Sequence, residues 1–209
     1  MSNALQELTT NEVVVDLAFK PTQSNADEWL AVALTNEVRL WKKGISGAQF
    51  QQAASIPNVL GIAAVSFSGD GGLLAIGTAS TEIFLRDVSG ETPEFIDILQ
   101  FVEEIPSDLI FHPTHPNLLA VTTDKGIQIW EFNEADAAQR DLVFNQLFTA
   151  GGVSLRFAPE GTSLVVGAKD AETQQALNVW NVETQVRTGT VSGFTAEAVG
   201  GSFPGQVGD

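Results

Sequence analysis

The sequence predicts an all-β chain assembled from a repeated four-stranded antiparallel unit. Three observations predict it. Short runs rich in β-branched and aromatic residues, bounded by Gly, Pro, Asn and Asp, recur along the 209 residues, which is the signature of strands. A Phe closing such a run returns as Phe19, Phe67, Phe111, Phe157 and Phe203, with separations of 48, 44, 46 and 46 residues. Helical periodicity is weak throughout; residues 131–139 offer one helical turn, with a loop as the alternative.

The first element of each unit is an apolar alternation ending in the marker Phe and a turn. It reads Val15-Asp16-Leu17-Ala18-Phe19-Lys20-Pro21, then Ala63-Ala64-Val65-Ser66-Phe67-Ser68-Gly69-Asp70-Gly71. It returns as Ser107-Asp108-Leu109-Ile110-Phe111-His112-Pro113 and Val153-Ser154-Leu155-Arg156-Phe157-Ala158-Pro159. A weak fifth copy is Gly200-Gly201-Ser202-Phe203-Pro204-Gly205. The second element is a short apolar run, as in Trp29-Leu30-Ala31-Val32-Ala33 and Leu73-Leu74-Ala75-Ile76-Gly77. The third alternates and usually ends in Trp: Val38-Arg39-Leu40-Trp41, Ile83-Phe84-Leu85-Arg86, Ile127-Gln128-Ile129-Trp130 and Leu177-Asn178-Val179-Trp180. The fourth is less distinct and is expected over residues 51–56, 94–100, 142–147 and 186–191. Such a sheet cannot bury both faces alone, so copies must stack. The expected organisation is one domain over 1–209, or part of one. Its repeats run over about 11–56, 57–100, 101–148 and 149–191, with a truncated fifth over 192–209.

The units resemble WD repeats of the β-propeller superfamily. Arg86-Asp87-Val88, Trp130-Glu131-Phe132 and Trp180-Asn181-Val182 stand where that family has its Trp-Asp dipeptide and following apolar residue, and Trp41-Lys42 is a degenerate copy. The resemblance covers about Val13 to Phe203 and implies a propeller, or part of one, with four-stranded blades. The repeats diverge from the family. No Gly-His dipeptide leads into any unit, so the His of the family's intrablade polar network is absent. Asp124 fits the turn Asp of the third unit, with Thr122 near the Ser position. Packing is therefore expected to rest more on apolar burial than on that network. Propellers have about four to eight blades, and four complete units leave three readings open. The chain is a piece of a larger propeller, closes a ring with a second copy or another chain, or stands as an open arc or compact ring. Residues 4–8 would supply a strand to a neighbouring blade.

Composition narrows the function. Asp plus Glu total 26 against 10 Lys plus Arg, a net charge of -16, with a pI near 4.3. Such a surface repels phosphate backbones and anionic membranes and favours basic partners. There is no Cys, which removes disulfides, thiolate metal sites and a Cys nucleophile. No apolar run reaches the roughly 20 residues of a membrane helix, and MSNALQELTT lacks signal-peptide character. The expected location is cytoplasmic.

Catalytic patterns are sparse. Both His residues, His112 and His115, lie in one turn with two Pro, which forbids the helix that would align them on a metal. No Gly-x-Ser-x-Gly elbow is present. Gly69-Asp70-Gly71-Gly72 lacks the Lys and helix of a phosphate loop and reads as a hairpin turn. Asp16 and Asp108 share a register position three residues before the marker Phe. The resemblance places that position near the central channel, where like carboxylates would raise each other's pKa or bind a cation.

The expected function is therefore a non-enzymatic scaffold that docks a protein or peptide, with no cofactor and no metal. By the family's geometry the docking face comprises residues 57–60, 103–106 and 149–152 and the turns 35–37, 79–82, 122–125 and 170–175. A basic peptide held by Glu37, Glu82, Glu103, Glu104 and Asp124 is the sharper form. The alternatives are a catalytic propeller with channel carboxylates and a metal, or a structural segment of a larger assembly.

Overall fold

A computed structural model describes residues 8, 10–21, 26–45, 49–100, 104–133, 136, 139–147, 152–168 and 177–191. These hold sixteen strands in four sheets, each a meander of four consecutive strands. The first sheet contains β1 (Val14–Phe19), β2 (Glu28–Leu34), β3 (Glu37–Lys43) and β4 (Gln51–Pro57). The second contains β5 (Ile62–Phe67), β6 (Leu73–Thr78), β7 (Glu82–Asp87) and β8 (Glu94–Gln100). The third contains β9 (Pro106–Phe111), β10 (Leu118–Thr123), β11 (Gly126–Phe132) and β12 (Arg140–Leu147). The fourth contains β13 (Gly152–Phe157), β14 (Ser163–Ala168), β15 (Leu177–Asn181) and β16 (Val186–Val191).

One register runs through all four. The marker Phe pairs with a Leu of the second strand, and that Leu pairs with the Trp position of the third. The rows are Phe19–Leu30–Trp41, Phe67–Leu74–Arg86, Phe111–Leu119–Trp130 and Phe157–Leu164–Trp180. Two β-bulges also repeat. One skips Val15, Ala63, Ser107 or Val153 in the first strand. The other lies in the fourth strand opposite the Trp position. A bulge re-aims the side chains that follow it, and Asp16 and Asp108 each come directly after the first bulge.

The sheets pack face to face in series, with β1 against β5, β5 against β9 and β9 against β13. The core is accordingly three layers between sheets. The first joins Ala31, Ala33, Val38 and Leu40 to Val65, Phe67, Leu74 and Ile76. The second joins Ala75, Ile83, Leu85 and Leu99 to Leu109, Phe111, Leu119 and Phe132. The third joins Ala120, Ile127 and Ile129 to Leu155, Phe157, Leu164 and Trp180. β6 and β10 lie between two such layers, and β2 lies between the first layer and a cover of Leu8, Trp41 and Phe50, so all three are buried on both faces. That is why they read as continuous apolar runs while the third strands alternate.

Of the stretch 131–139, Glu131 and Phe132 end β11 and Asn133 N donates to the Gln139 carbonyl at 2.8 Å, while residues 134, 135, 137 and 138 lie outside the described residues. The Gly69–Gly72 stretch is a turn, with Gly71 at φ +75° and Gly71 N donating to Ser68 O at 2.8 Å. Leu8 packs against Leu30, Val32 and Leu34, while residues 4–7 lie outside the described residues, as do 149–151, 170–175 and the fifth unit at 192–209. Among the described residues no helix is long and apolar enough to cross a membrane.

Candidate functional site

Antiparallel order places the connections between sheets and the turns between second and third strands at one end of the stack. Backbone hydrogen bonds join the two sets. Val59 N donates to Asn36 O (3.2 Å), Gly61 N to Thr35 O (3.1 Å), Ala79 N to Gly61 O (2.6 Å) and Asp124 N to Ile105 O (3.0 Å). Among the described residues the loops of this face are thus tied to the sheets by backbone hydrogen bonds.

The acids expected to hold a partner are distributed along this face, and several already have work within the fold. Glu37, at the start of β3, binds Arg39 through Nε at 2.8 Å and Nη2 at 2.5 Å, and Arg39 reaches Glu12 as well. Glu82, at the same register in the second sheet, accepts one long bond from Gln100 Nε2 at 3.4 Å. Asp124 accepts from Ile105 N at 2.8 Å. Glu104 accepts from Thr123 Oγ1 at 2.8 Å and Gln128 Nε2 at 3.0 Å. Glu104 and Asp124 therefore meet on the rim of the third sheet, Glu37 and Glu82 sit on the first and second, and Glu103 lies outside the described residues.

Sequence reasoning missed the role of Gln128. Trp130 Nε1 donates to Gln128 Oε1 at 3.1 Å, and Gln128 passes the network to Glu104 and Thr123. The third unit thus carries a polar network running inward from its Trp, built from residue types other than His and Ser. Packing was expected to rest more on apolar burial than on the family's network, and in this unit a polar network stands beside that burial; Asp124, expected as its turn Asp, accepts from Ile105 N. The available signal was alternation, since residues 128 and 130 share one face of β11. Trp41 has no equivalent: its Nε1 is buried without a partner among the described residues.

The inner strands use charge to stitch sheets together. Asp16 accepts from Leu17 N and, through Oδ2, from Val65 N of the next sheet, both at 2.8 Å. Asp108 repeats this with Leu109 N (2.9 Å) and Leu155 N (3.1 Å), and Arg156 Nη1 adds an ion pair at 2.9 Å. Burial pushes the Asp108 carboxyl up, and Arg156 and the two amides act against that. Both carboxylates border a groove of about 450 Å³ along the inner strands, already satisfied by backbone donors rather than facing each other bare. Among the described residues no group of three His, Cys, Asp or Glu side chains could hold a metal.

Two further stitches join the residue after the marker Phe to the next sheet. Lys20 Nζ donates to Val88 O at 2.8 Å, with burial lowering its pKa against the pull of Asp70 and Asp87. His112 Nε2 faces Gly161 O at 3.0 Å, while its Nδ1 accepts from His115 N at 3.0 Å and Thr114 N at 3.2 Å. Those acceptor contacts place the proton on Nε2. Burial holds His112 below its ordinary pKa, and the Gly161 bond opposes this.

Comparison with solved structures fits this geometry. The crystal structure of Saccharomyces cerevisiae Sqt1 is similar with a TM-score of 0.68 and 18% identity, over 87% of this chain and 48% of that one. A chain of Kuenenia stuttgartiensis hydrazine synthase is similar with a TM-score of 0.66 and 13% identity, over 88% and 51%. The chain has the fold of a partial, WD-like β-propeller. Its four sheets are the blades, and β1, β5, β9 and β13 are their inner strands. The chain spans about half the length of these propeller-fold neighbours. No family model and no curated protein matches the sequence.

Proposed function

We propose that the chain is a non-enzymatic scaffold that docks a protein partner on the loop face of its blades, and that a basic peptide segment is the ligand this face suits. The observation that carries this reading is the loop face itself, tied to the sheets by backbone bonds and edged by Glu37, Glu82, Glu104 and Asp124. Loops tied to a sheet spare part of the ordering cost of binding, and a net charge of -16 speeds encounter with cations. The same charge disfavours nucleic acid and anionic membrane as partners, and a cytoplasmic location goes with this reading. The fold alone does not choose a function, so the proposal stands on the face and its charge.

Fluorescence anisotropy with a labelled oligolysine peptide tests it. Binding should weaken as salt rises to about 0.3 M. Glu82→Lys should cut affinity about fivefold, the worth of roughly 1 kcal/mol at an exposed pair. Glu82 is the acid to reverse because its carboxylate does least within the fold. Binding that ignores both salt and Glu82→Lys would overturn the proposal.

A further inference from the structure

The blade stack repeats one interface three times, and its two halves recur, each left partly open, on blades one and four of the same chain. In each junction the marker Phe and the residue two before it enter the preceding blade. Val65 and Phe67, Leu109 and Phe111, and Leu155 and Phe157 all do so, and each is at most 8% exposed. β1 carries the same pair as Leu17 and Phe19, which are 56% and 66% exposed. Beside them on the same face Leu30, Val32 and Leu34 are buried under Leu8, Trp41 and Phe50, and Phe50 also meets Phe19, so the part of the face left open is the β1 edge at Leu17 and Phe19.

The receiving half shows the converse. Ala31, Val38 and Leu40 of blade one, Ala75, Ile83 and Leu85 of blade two, and Ala120, Ile127 and Ile129 of blade three are buried by the blade that follows. The corresponding residues of blade four are Val165, Leu177 and Val179, set by the pairing of Val165 with Val179 that matches Ala120 with Ile129. All three are only half-buried.

We propose that these faces meet between two copies of the chain: the blade-one face of one copy docks on the blade-four face of the other, head to tail, at both junctions of a two-fold ring. Two observations select a second copy as the occupant. Each face is the register equivalent of one half of an interface the chain already makes three times. Both halves are present on one chain, so two copies satisfy each other without a third component. A heterologous contact closes into a ring when its rotation permits.

Light scattering on the full chain over a dilution series reads the outcome. The expected mass is twice 22.2 kDa, with tighter association at higher salt because two strongly acidic chains repel. Phe19→Asp, at a position exposed in the single chain, and Val179→Asp should each return the mass to that of one chain. An equimolar mixture of the two variants should recover the paired mass in part, because one junction of each mixed pair is intact. Val179 is half-buried, so a second measurement avoids reliance on that variant folding. The chain has no Cys, and Phe19→Cys mixed with Leu177→Cys should be joined by a short bis-maleimide. A single-chain mass at every concentration would overturn the proposal and leave the face to another polypeptide. Pairing indifferent to Val179→Asp, with no mixed cross-link, would mean that blade-one faces pair with themselves. A mass beyond two chains would mean an open array, and either result overturns the ring.

Discussion

The imidazole of His112 lies over Gly161 and donates from Nε2 to its carbonyl oxygen at 3.0 Å. A Cβ on Gly161 would stand 2.0 Å from His112 Cε1, and the residue holds φ +78°. Lys20 covers Gly71 in the same way two repeat intervals earlier, where a Cβ would stand 2.7 Å from Lys20 Cε. The turn glycine of one blade thus admits a side chain from the blade before it.

Gly161→Ala should destabilise the chain by about 2–4 kcal/mol, from the left-handed backbone and the displaced imidazole together. Gly90→Ala is the comparison, since its added Cβ meets nothing within 4 Å and its φ is not positive. Urea unfolding of both variants checks this; equal midpoints would contradict the stitch.

His112 should make stability depend on pH in one direction. Its folded pKa is lowered from 6.5 by burial. The folded state therefore binds fewer protons than the unfolded state below that value. The stabilisation is complete above about pH 6.5 and is lost as pH falls through the folded pKa. Protonation would also cost Nδ1 its acceptor role toward the amides of Thr114 and His115. Urea midpoints measured from about pH 7.5 down to about 5.5 should fall, and His112→Gln should flatten that slope.

The Asp stitches predict matched losses in two blades. Asp16→Ala strips the Val65 amide of its acceptor, and Asp108→Ala strips Leu155. Each leaves a donor in a buried layer and should cost about 1–3 kcal/mol. The Asp108 variant additionally releases Arg156. Thermal melts of the two variants that stay at the parent's value would remove the role assigned to these carboxylates.

The two Trp positions should respond unequally. Trp130→Phe leaves Gln128 Oε1 without its indole donor, whereas Trp41→Phe removes an N–H that has no partner among the described residues. Trp130→Phe is expected to cost about 1 kcal/mol more. Glu104→Ala should cost about 1–3 kcal/mol by the same argument, because Thr123 and Gln128 both donate to it. Chemical denaturation of the three variants ranks them directly.

The sequence by itself determined the strands. Phe19, Phe67, Phe111 and Phe157 close the first strand of each blade, and the Trp positions fall opposite the same Leu in every sheet. Those features are local, because alternation, turn residues and hairpin register act within a few tens of residues. The fourth strands were the faint ones for a physical reason. They are the outer strands, largely exposed in β4 and β12, so little burial constrains their residues.

Only the tertiary structure decided what the polar residues do. Asp16 meets an amide 49 residues on, His112 a carbonyl 49 residues on, and Lys20 a carbonyl 68 residues on. Asp16 and Asp108, read as lining a channel, border one groove and each accept an amide of the next blade; Glu104 and Asp124, read as docking acids, also accept hydrogen bonds within their own blade. The pattern of one strand fixes which face a side chain takes. The partner on that face comes from the next blade, and only the packing of sheet on sheet brings it there.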